Sequence, residues 1–220
     1  MVLCDTWEPG DFYSTQFGVP RRKLSRVPVG ADARAFELGG GRRDAFKTGP
    51  LDVVFVGSYL PLHGLPTIID AATILEDLPG PRLATFTLIG GGMLRPRVER
   101  DIAARGLRTV RLLPRMPYED ALQRLAQADL SLGIFGVSGK AGRVVPHKVY
   151  QSMALGVPIV TRRSAAIAEY FRDEEHLALV PAGDATALAG AIEALAGDPE
   201  RRARIGSGGR QAARAQASHA

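Results

Sequence analysis

The chain has 220 residues, 45% of them apolar and 23% charged, the balance of an ordinary soluble globular protein, which excludes global disorder. No apolar run approaches the roughly 20 residues that cross a bilayer, and the single cysteine, Cys4, excludes an internal disulfide or a cysteine metal cluster. The net charge of +5 suits an anionic small ligand, a peripheral membrane contact or nucleic acid, but few aromatic residues are interleaved to stack on bases, which disfavours the last.

The start, MVLCDTWEPGD, lacks a basic leader and carries acids early, so a cytoplasmic protein is expected. VLCDTW suits a strand end, GDFYSTQFG a short helix closed by Gly18, and KLSRVPVGAD another strand, each too short to bury itself alone. Residues 33–50, with Gly39, Gly40 and Gly41 flanked by Arg42 and Arg43, read as a linker, which places a boundary near residue 49. Strand and helix then alternate. LDVVFVG (51–57), LATFTLIG (83–90), TVRLL (109–113) and HLALVPAG (176–183) are short apolar runs; Leu65 to Leu75, Met93 to Ala104, 118–128 and Thr186 to Ala196 carry helical spacing. This alternation predicts an α/β, Rossmann-like, doubly wound parallel sheet. Arg201, Arg202, Arg204, Arg210 and Arg214 read as the solvated face of an exposed tail helix, and Arg95, Arg97 and Arg100 as another such face.

The stretch from Ser131 to Val160 carries the strongest functional signal. An apolar strand, Leu130 to Phe135, enters a loop with Gly136 and Gly139; Pro146 is expected as the first residue of a helix that Gly156 closes. Free N–H groups at the helix start, with Lys140, Arg143 and Lys148 as three mobile cations, make a site for an anion, above all a phosphate. In a doubly wound sheet the first and fourth strands lie side by side and their loops diverge, leaving a crevice at their carboxyl ends. The glycines after those strands, Gly57 and Gly136, are therefore expected to meet around the ligand.

The segments VFVGSYLPLHGLPTIIDAA, TLIGGGMLRPRVE, RLLPRMPYEDALQRLAQADLSL, VYQSMALGVPIVT and LVPAGDATALAGAIEALAGDPERRARIG follow in unbroken order over roughly residues 51–206. They resemble the carboxy-terminal domain of retaining glycosyltransferases of family four, which have the two-domain GT-B fold. The resemblance implies one half of that fold: residues 1–49 as a remnant of the amino-terminal domain and linker, 50–206 as the nucleotide-sugar-binding domain, and 207–220 as a helical tail. It implies a UDP-sugar or GDP-sugar donor, no metal or other cofactor, and a glycan or lipid acceptor held by a domain this chain lacks. The chain alone is then expected to be inactive as a transferase. The resemblance places Gly57, Ser58, Tyr59, His63, Gly64 and Gly90 around the donor and lets the backbone at Arg115 and Met116 read the base. Lys140, Arg143, Val144, Val145 and Lys148 fall at the diphosphate, with Gln151 on a ribose or sugar hydroxyl.

Several charged positions depart from the family pattern. Ser58 and His63 stand where an arginine and a lysine are expected after the first strand, and Arg143 and Gln151 stand where two glutamates are expected. Lys140, Arg143 and Lys148 are expected to supply the neutralisation lost at Ser58. A histidine beside a diphosphate should have its pKa raised above the reference of about 6.5, so His63 would add charge when protonated. Two other readings stand beside transfer: a non-transferring nucleotide-sugar-binding or epimerase-like protein on the same scaffold, and a basic nucleic-acid-binding domain. A dehydrogenase is disfavoured, because LDVVFVGSYLPLHG lacks the close G-x-G-x-x-G of a dinucleotide turn.

Overall fold

A computed structural model of the chain describes residues 1–39 and 49–217. Four short elements come first: β1 (Val2–Cys4), α1 (Trp7–Phe17), β2 (Leu24–Arg26) and α2 (Ala33–Leu38). There follow β3 (Leu51–Val56), α3 (Leu65–Glu76), β4 (Ala84–Ile89), α4 (Arg95–Arg105), β5 (Val110–Leu113), α5 (Tyr118–Ala126) and β6 (Leu130–Leu132). The last are α6 (Gly139–Gly142), α7 (His147–Ala154), β7 (Ile159–Arg162), α8 (Ala165–Ala168), β8 (Ala178–Val180), α9 (Ala185–Gly197) and α10 (Pro199–Ala217).

The expected sheet is present. Six strands in the order β5-β4-β3-β6-β7-β8 pair in parallel, and β3 lies beside β6 with Val53 opposite Leu130. Alternate residues of β3 face opposite sides, which is why its apolar run is continuous. Val53 and Phe55 pack with Leu65, Ile68 and Ile69 of α3 and Leu188 and Ile192 of α9; Val54 packs with Leu122 and Leu125 of α5, Ala35 of α2 and Leu155. The carboxyl ends of β3 and β6 are thus central in a two-sided core.

The amino-terminal elements do not stand alone. β1 and β2 form a parallel pair, and Glu169, at the end of α8, accepts from the free backbone N–H groups of Trp7 (2.9 Å) and Glu8 (3.3 Å) at the start of α1. Tyr170 donates its hydroxyl to the Asp5 carbonyl (2.6 Å). Gly18 closes α1 as expected.

Five expectations require correction. Residues 33–38, read as linker, form α2, because the Asp32 carboxylate caps it by accepting from Arg34 N (2.8 Å) and Ala35 is fully buried; Gly40 to Arg43 lie outside the described residues. Pro146 is the N-cap of α7 rather than its first residue, with ψ at 143°, so the helix starts at His147. The loop after Gly136 contains a helical turn, α6, capped by Ser138, whose hydroxyl accepts from Ala141 N. Of the α10 arginines, Arg204 and Arg214 are exposed as expected, but three are not solvated: Arg202 is 6% exposed and donates to the Ala196 carbonyl (3.2 Å), Arg210 donates to the Phe36 carbonyl (2.6 Å), and Arg201 pairs with Glu174 (2.7 Å). Arg202 and Arg210 satisfy carbonyls that helix ends leave without intrahelical partners. α10 is continuous, so the expected division at 206–207 falls inside it.

Candidate functional site

The loops after β3, β4 and β5 open a cleft of about 330 Å³ at the carboxyl edge of the sheet. Gly57, Ser58, Gly90, Arg115 and Met116 line it, so these five expected site residues converge. The strand pattern of hydrogen bonds carries on into its walls: Gly57 N donates to Ile89 O (3.0 Å) and Gly90 N to Leu113 O (3.1 Å). Tyr118, at the start of α5, lines the same cleft and was not foreseen; its place just after the third strand's loop, behind Pro117, was the available signal. Its hydroxyl accepts from Gln151 Nε2 (3.1 Å), which brings Gln151 to the rim. Arg95, read as solvated, reaches the same edge and donates to the Gly90 carbonyl (3.0 Å).

Lys148 lies behind the Gly57 turn, beside the cleft and not among its lining residues. It is 9% exposed, its Nζ has no hydrogen-bond partner among the described residues, and it lies 3.7 Å from the Phe55 ring centre. A Cβ on Gly57 would come within 2.6 Å of that Nζ, so a glycine is what lets the lysine reach the backbone turn after β3. Burial pushes the Lys148 pKa well below the ordinary lysine range. His63 approaches the same ring edge-on, with centroids 5.6 Å apart, and its Nδ1 hydrogen-bonds the Ser58 carbonyl. A carbonyl only accepts, so Nδ1 is the protonated nitrogen of the neutral ring.

The expected rise of the His63 pKa is not what the protein's own groups produce. Burial first, and the neighbouring Lys148 second, lower it to about 4, against a smaller raising effect of the Ser58 carbonyl. The histidine was expected to answer to a diphosphate, and from the protein alone it answers to desolvation. Since the neutral ring is favoured only in the folded chain, this contribution to stability is whole above about pH 6.5 and declines toward pH 4. Thermal melts from pH 7 to 4 should therefore fall more steeply for the native chain than for His63→Gln; superimposable curves would contradict this assignment.

Other expected residues fall outside the cleft or are committed to packing. Tyr59 is fully buried; its hydroxyl donates to Leu88 O (2.9 Å), its N–H donates to Gly91 O (2.9 Å) and its carbonyl accepts from Leu94 N (3.1 Å). Burial holds its phenol at about 12, and it is a core residue. Val145 is buried with Val149 and Tyr150 in a second core cluster, and Val144 beside it is half-buried. Arg143 and Lys148 each rest against an aromatic ring: the Arg143 guanidinium lies 4.1 Å over the Phe12 ring of α1, with its carbonyl accepting from Thr6 Oγ1 (2.9 Å), and Lys148 lies over Phe55. Lys140 is exposed on α6. Gly64 has φ of 67° and sits against the backbone of 135–136, where Phe135 N donates to His63 O (3.1 Å) and Gly136 N to Leu62 O (3.2 Å). The segment 62–64 after β3 therefore meets the turn after β6, while Gly57 itself faces Lys148 and Gly136 is not among the residues lining the cleft. Arg162 braces the turn after β6 by donating to the Gly136 carbonyl (2.5 Å).

Among the described residues no helix is long and apolar enough to cross a membrane. The chain is 30% identical over 175 residues to the amylovoran biosynthesis glycosyltransferase AmsK of Erwinia amylovora, covering 78% of this chain and 42% of that protein. It is 28% identical over 216 residues to a D-inositol 3-phosphate glycosyltransferase of Acidothermus cellulolyticus, covering 93% and 47%. It thus spans less than half the length of either relative. Anabaena Alr3699/HepE, solved in complex with UDP, superposes with a TM-score of 0.80 at 17% identity, over 98% of this chain and 59% of that one. Sucrose-phosphate synthase from Thermosynechococcus elongatus gives 0.77 at 20% identity, over 98% and 53%. These two share the fold. A sequence match to the glycosyl transferases group 1 covers residues 42–212, more than half of the chain, and the protein belongs to that family.

Proposed function

We propose that this chain is the nucleotide-sugar-binding half of a retaining glycosyltransferase of GT-B architecture, within family four. One observation carries the reading: a buried lysine amine without a hydrogen-bond partner among the described residues, Lys148 Nζ, lies against Gly57 at the carboxyl ends of the two central strands. A buried amine left unsatisfied costs about 1–3 kcal/mol, and an anion entering past Gly57 would meet that need. Solved neighbours of the same fold are complexes with UDP and with UDP-glucose, which fits a nucleotide sugar as that anion.

In this reading the diphosphate lies between the Gly57–Ser58 turn and the start of α7, where the first N–H groups point outward. Cleavage of the sugar–phosphate bond gathers negative charge on the departing diphosphate, and Lys148 with the helix terminus stabilises it; Lys140 adds a cation from solvent. The base enters the cleft of Arg115, Met116 and Tyr118, and Gln151 faces a ribose hydroxyl. Acceptor binding is assigned to protein beyond the groups described, so sugar transfer by this chain alone should be negligible. No observation favours the epimerase-like or nucleic-acid readings.

A melting panel tests the proposal. UDP, GDP and their sugars at millimolar concentration should include at least one compound that raises the Tm saturably, because a ligand at 100 times its Kd stabilises by about 2.7 kcal/mol. No shift with any of them, together with oligonucleotide binding of steep salt dependence, would favour the basic nucleic-acid reading.

A further inference from the structure

We infer that the donor site is charged by its own ligand: Lys148 and His63 each take up a proton from solvent as a diphosphate binds beside Gly57. The inference rests on the donor-site reading above. It departs from a site of permanent cations because the two positions expected to hold an arginine and a lysine carry Ser58 and His63.

The geometry disfavours the charged form of each group before the ligand binds. Both contact one apolar ring, Phe55, Lys148 over its face and His63 against it edge-on. From β3 the lysine meets that ring and the open edge of Gly57, and from the following turn it meets His63. Along α7 its neighbours are exposed His147 and half-buried Gln151, and α5 contributes Tyr118, bonded to Gln151, and Glu119, which is paired with Arg34. Asp32, ahead of α2, acts on His147. β7 contributes Arg162, turned to the Gly136 carbonyl, and α10 contributes Arg210, turned to the Ala154 and Phe36 carbonyls. None of these is a carboxylate acting on Lys148, and two ammonium-type charges on one ring would repel. Desolvation and mutual repulsion both favour the neutral pair.

A diphosphate reverses both terms. Its two negative charges, brought next to Lys148 Nζ and the His63 ring, favour the ammonium and the imidazolium. The balance is one proton per group, drawn from water or buffer, with the diphosphate unchanged. A nucleotide sugar is the suitable probe, because its diphosphate is esterified at both ends and does not itself titrate near neutrality. Affinity should then fall as pH rises, about tenfold per pH unit for each whole proton taken up.

Calorimetry of the 220-residue chain with UDP-glucose and with GDP-mannose, at pH 7.5 in PIPES and in Tris, which differ in ionisation enthalpy and carry no phosphate, reads the uptake directly. The expected result is an apparent enthalpy that differs between the two buffers in the direction of proton uptake, with fewer protons in His63→Gln. Binding with the same enthalpy in both buffers would overturn the inference and leave the donor site standing. Failure of both sugars to bind would overturn both. A ligand-independent reading comes from side-chain ¹⁵N resonances of the four lysines, with Lys148 identified by its loss in Lys148→Met. A Lys148 resonance titrating in the ordinary lysine range would overturn the inference whatever binds.

Discussion

Lys148→Met should melt higher than the native chain and bind nucleotide diphosphates at least tenfold more weakly. The two effects have opposite signs because they arise from one feature, an amine buried over the Phe55 ring without a hydrogen-bond partner. Methionine keeps the length of the side chain and removes the polar end, relieving a cost of about 1–3 kcal/mol, or roughly 2–8 °C for a chain of this size. Loss of a charge-assisted contact to the diphosphate should cost about 1.5–3 kcal/mol, which is roughly 10- to 150-fold in Kd. The pH dependence has a definite direction. The folded-state pKa of Lys148 lies below the lysine reference, so between the two values the unfolded chain holds the extra proton and native stability rises with pH. The slope is at most about 1.4 kcal/mol per pH unit, and the methionine variant lacks it. The Tm advantage of the variant should therefore shrink from pH 6 to pH 9. A variant that melts lower at both pH values, or that binds UDP as the native chain does, would remove Lys148 from the site.

The fold was legible where a residue's neighbours along the chain decide its environment. β3 and β4 are apolar on both faces, which only a covered parallel sheet explains, and the glycines after them mark the carboxyl edge. The convergence of Gly57, Ser58, Gly90, Arg115 and Met116 follows from that topology. What was not legible depends on partners far away in sequence. Arg202 and Arg210 look solvated until helix ends present carbonyls to them. Tyr59 looks like a loop residue until its hydroxyl finds Leu88 O. The same holds for Lys148: spacing places it in the first turn of α7, but whether its amine is wet or buried depends on Phe55, 93 positions earlier in the chain. The sign of the His63 shift depends on that same burial. α2 is a milder case, since the Asp32 carboxylate that caps it stands directly ahead of its Ala-Arg-Ala-Phe run, a local signal that the linker reading does not use.

Substitution of two glycines seven positions apart should separate the scaffold from the site. Gly64→Ala is expected to lower the Tm by roughly 5–15 °C. Its φ of 67° is left-handed, which costs a residue with a Cβ about 1–2 kcal/mol, and that Cβ would lie 2.6 Å from both Gly136 N and Phe135 C. Both are backbone atoms, so no rotamer change relieves the overlap; the turn must lift from the chain after β6, at a further cost of about 1–3 kcal/mol. Gly57→Ala meets a different obstacle, the flexible end of Lys148, with Nζ at 2.6 Å and Cε at 3.3 Å. The lysine can swing aside, so the Tm should change by no more than about 2 °C, within the usual range of a tolerated substitution. The displaced amine no longer faces the turn after β3, and the new methyl occupies the path of the diphosphate, so nucleotide affinity should fall about tenfold or more. Melting curves with and without UDP and GDP separate the two cases. If Gly64→Ala melts like the native chain, the contact between the turns after β3 and β6 is not holding the site together. If Gly57→Ala binds nucleotide normally, the anion does not pass this glycine and Lys148 serves the core alone.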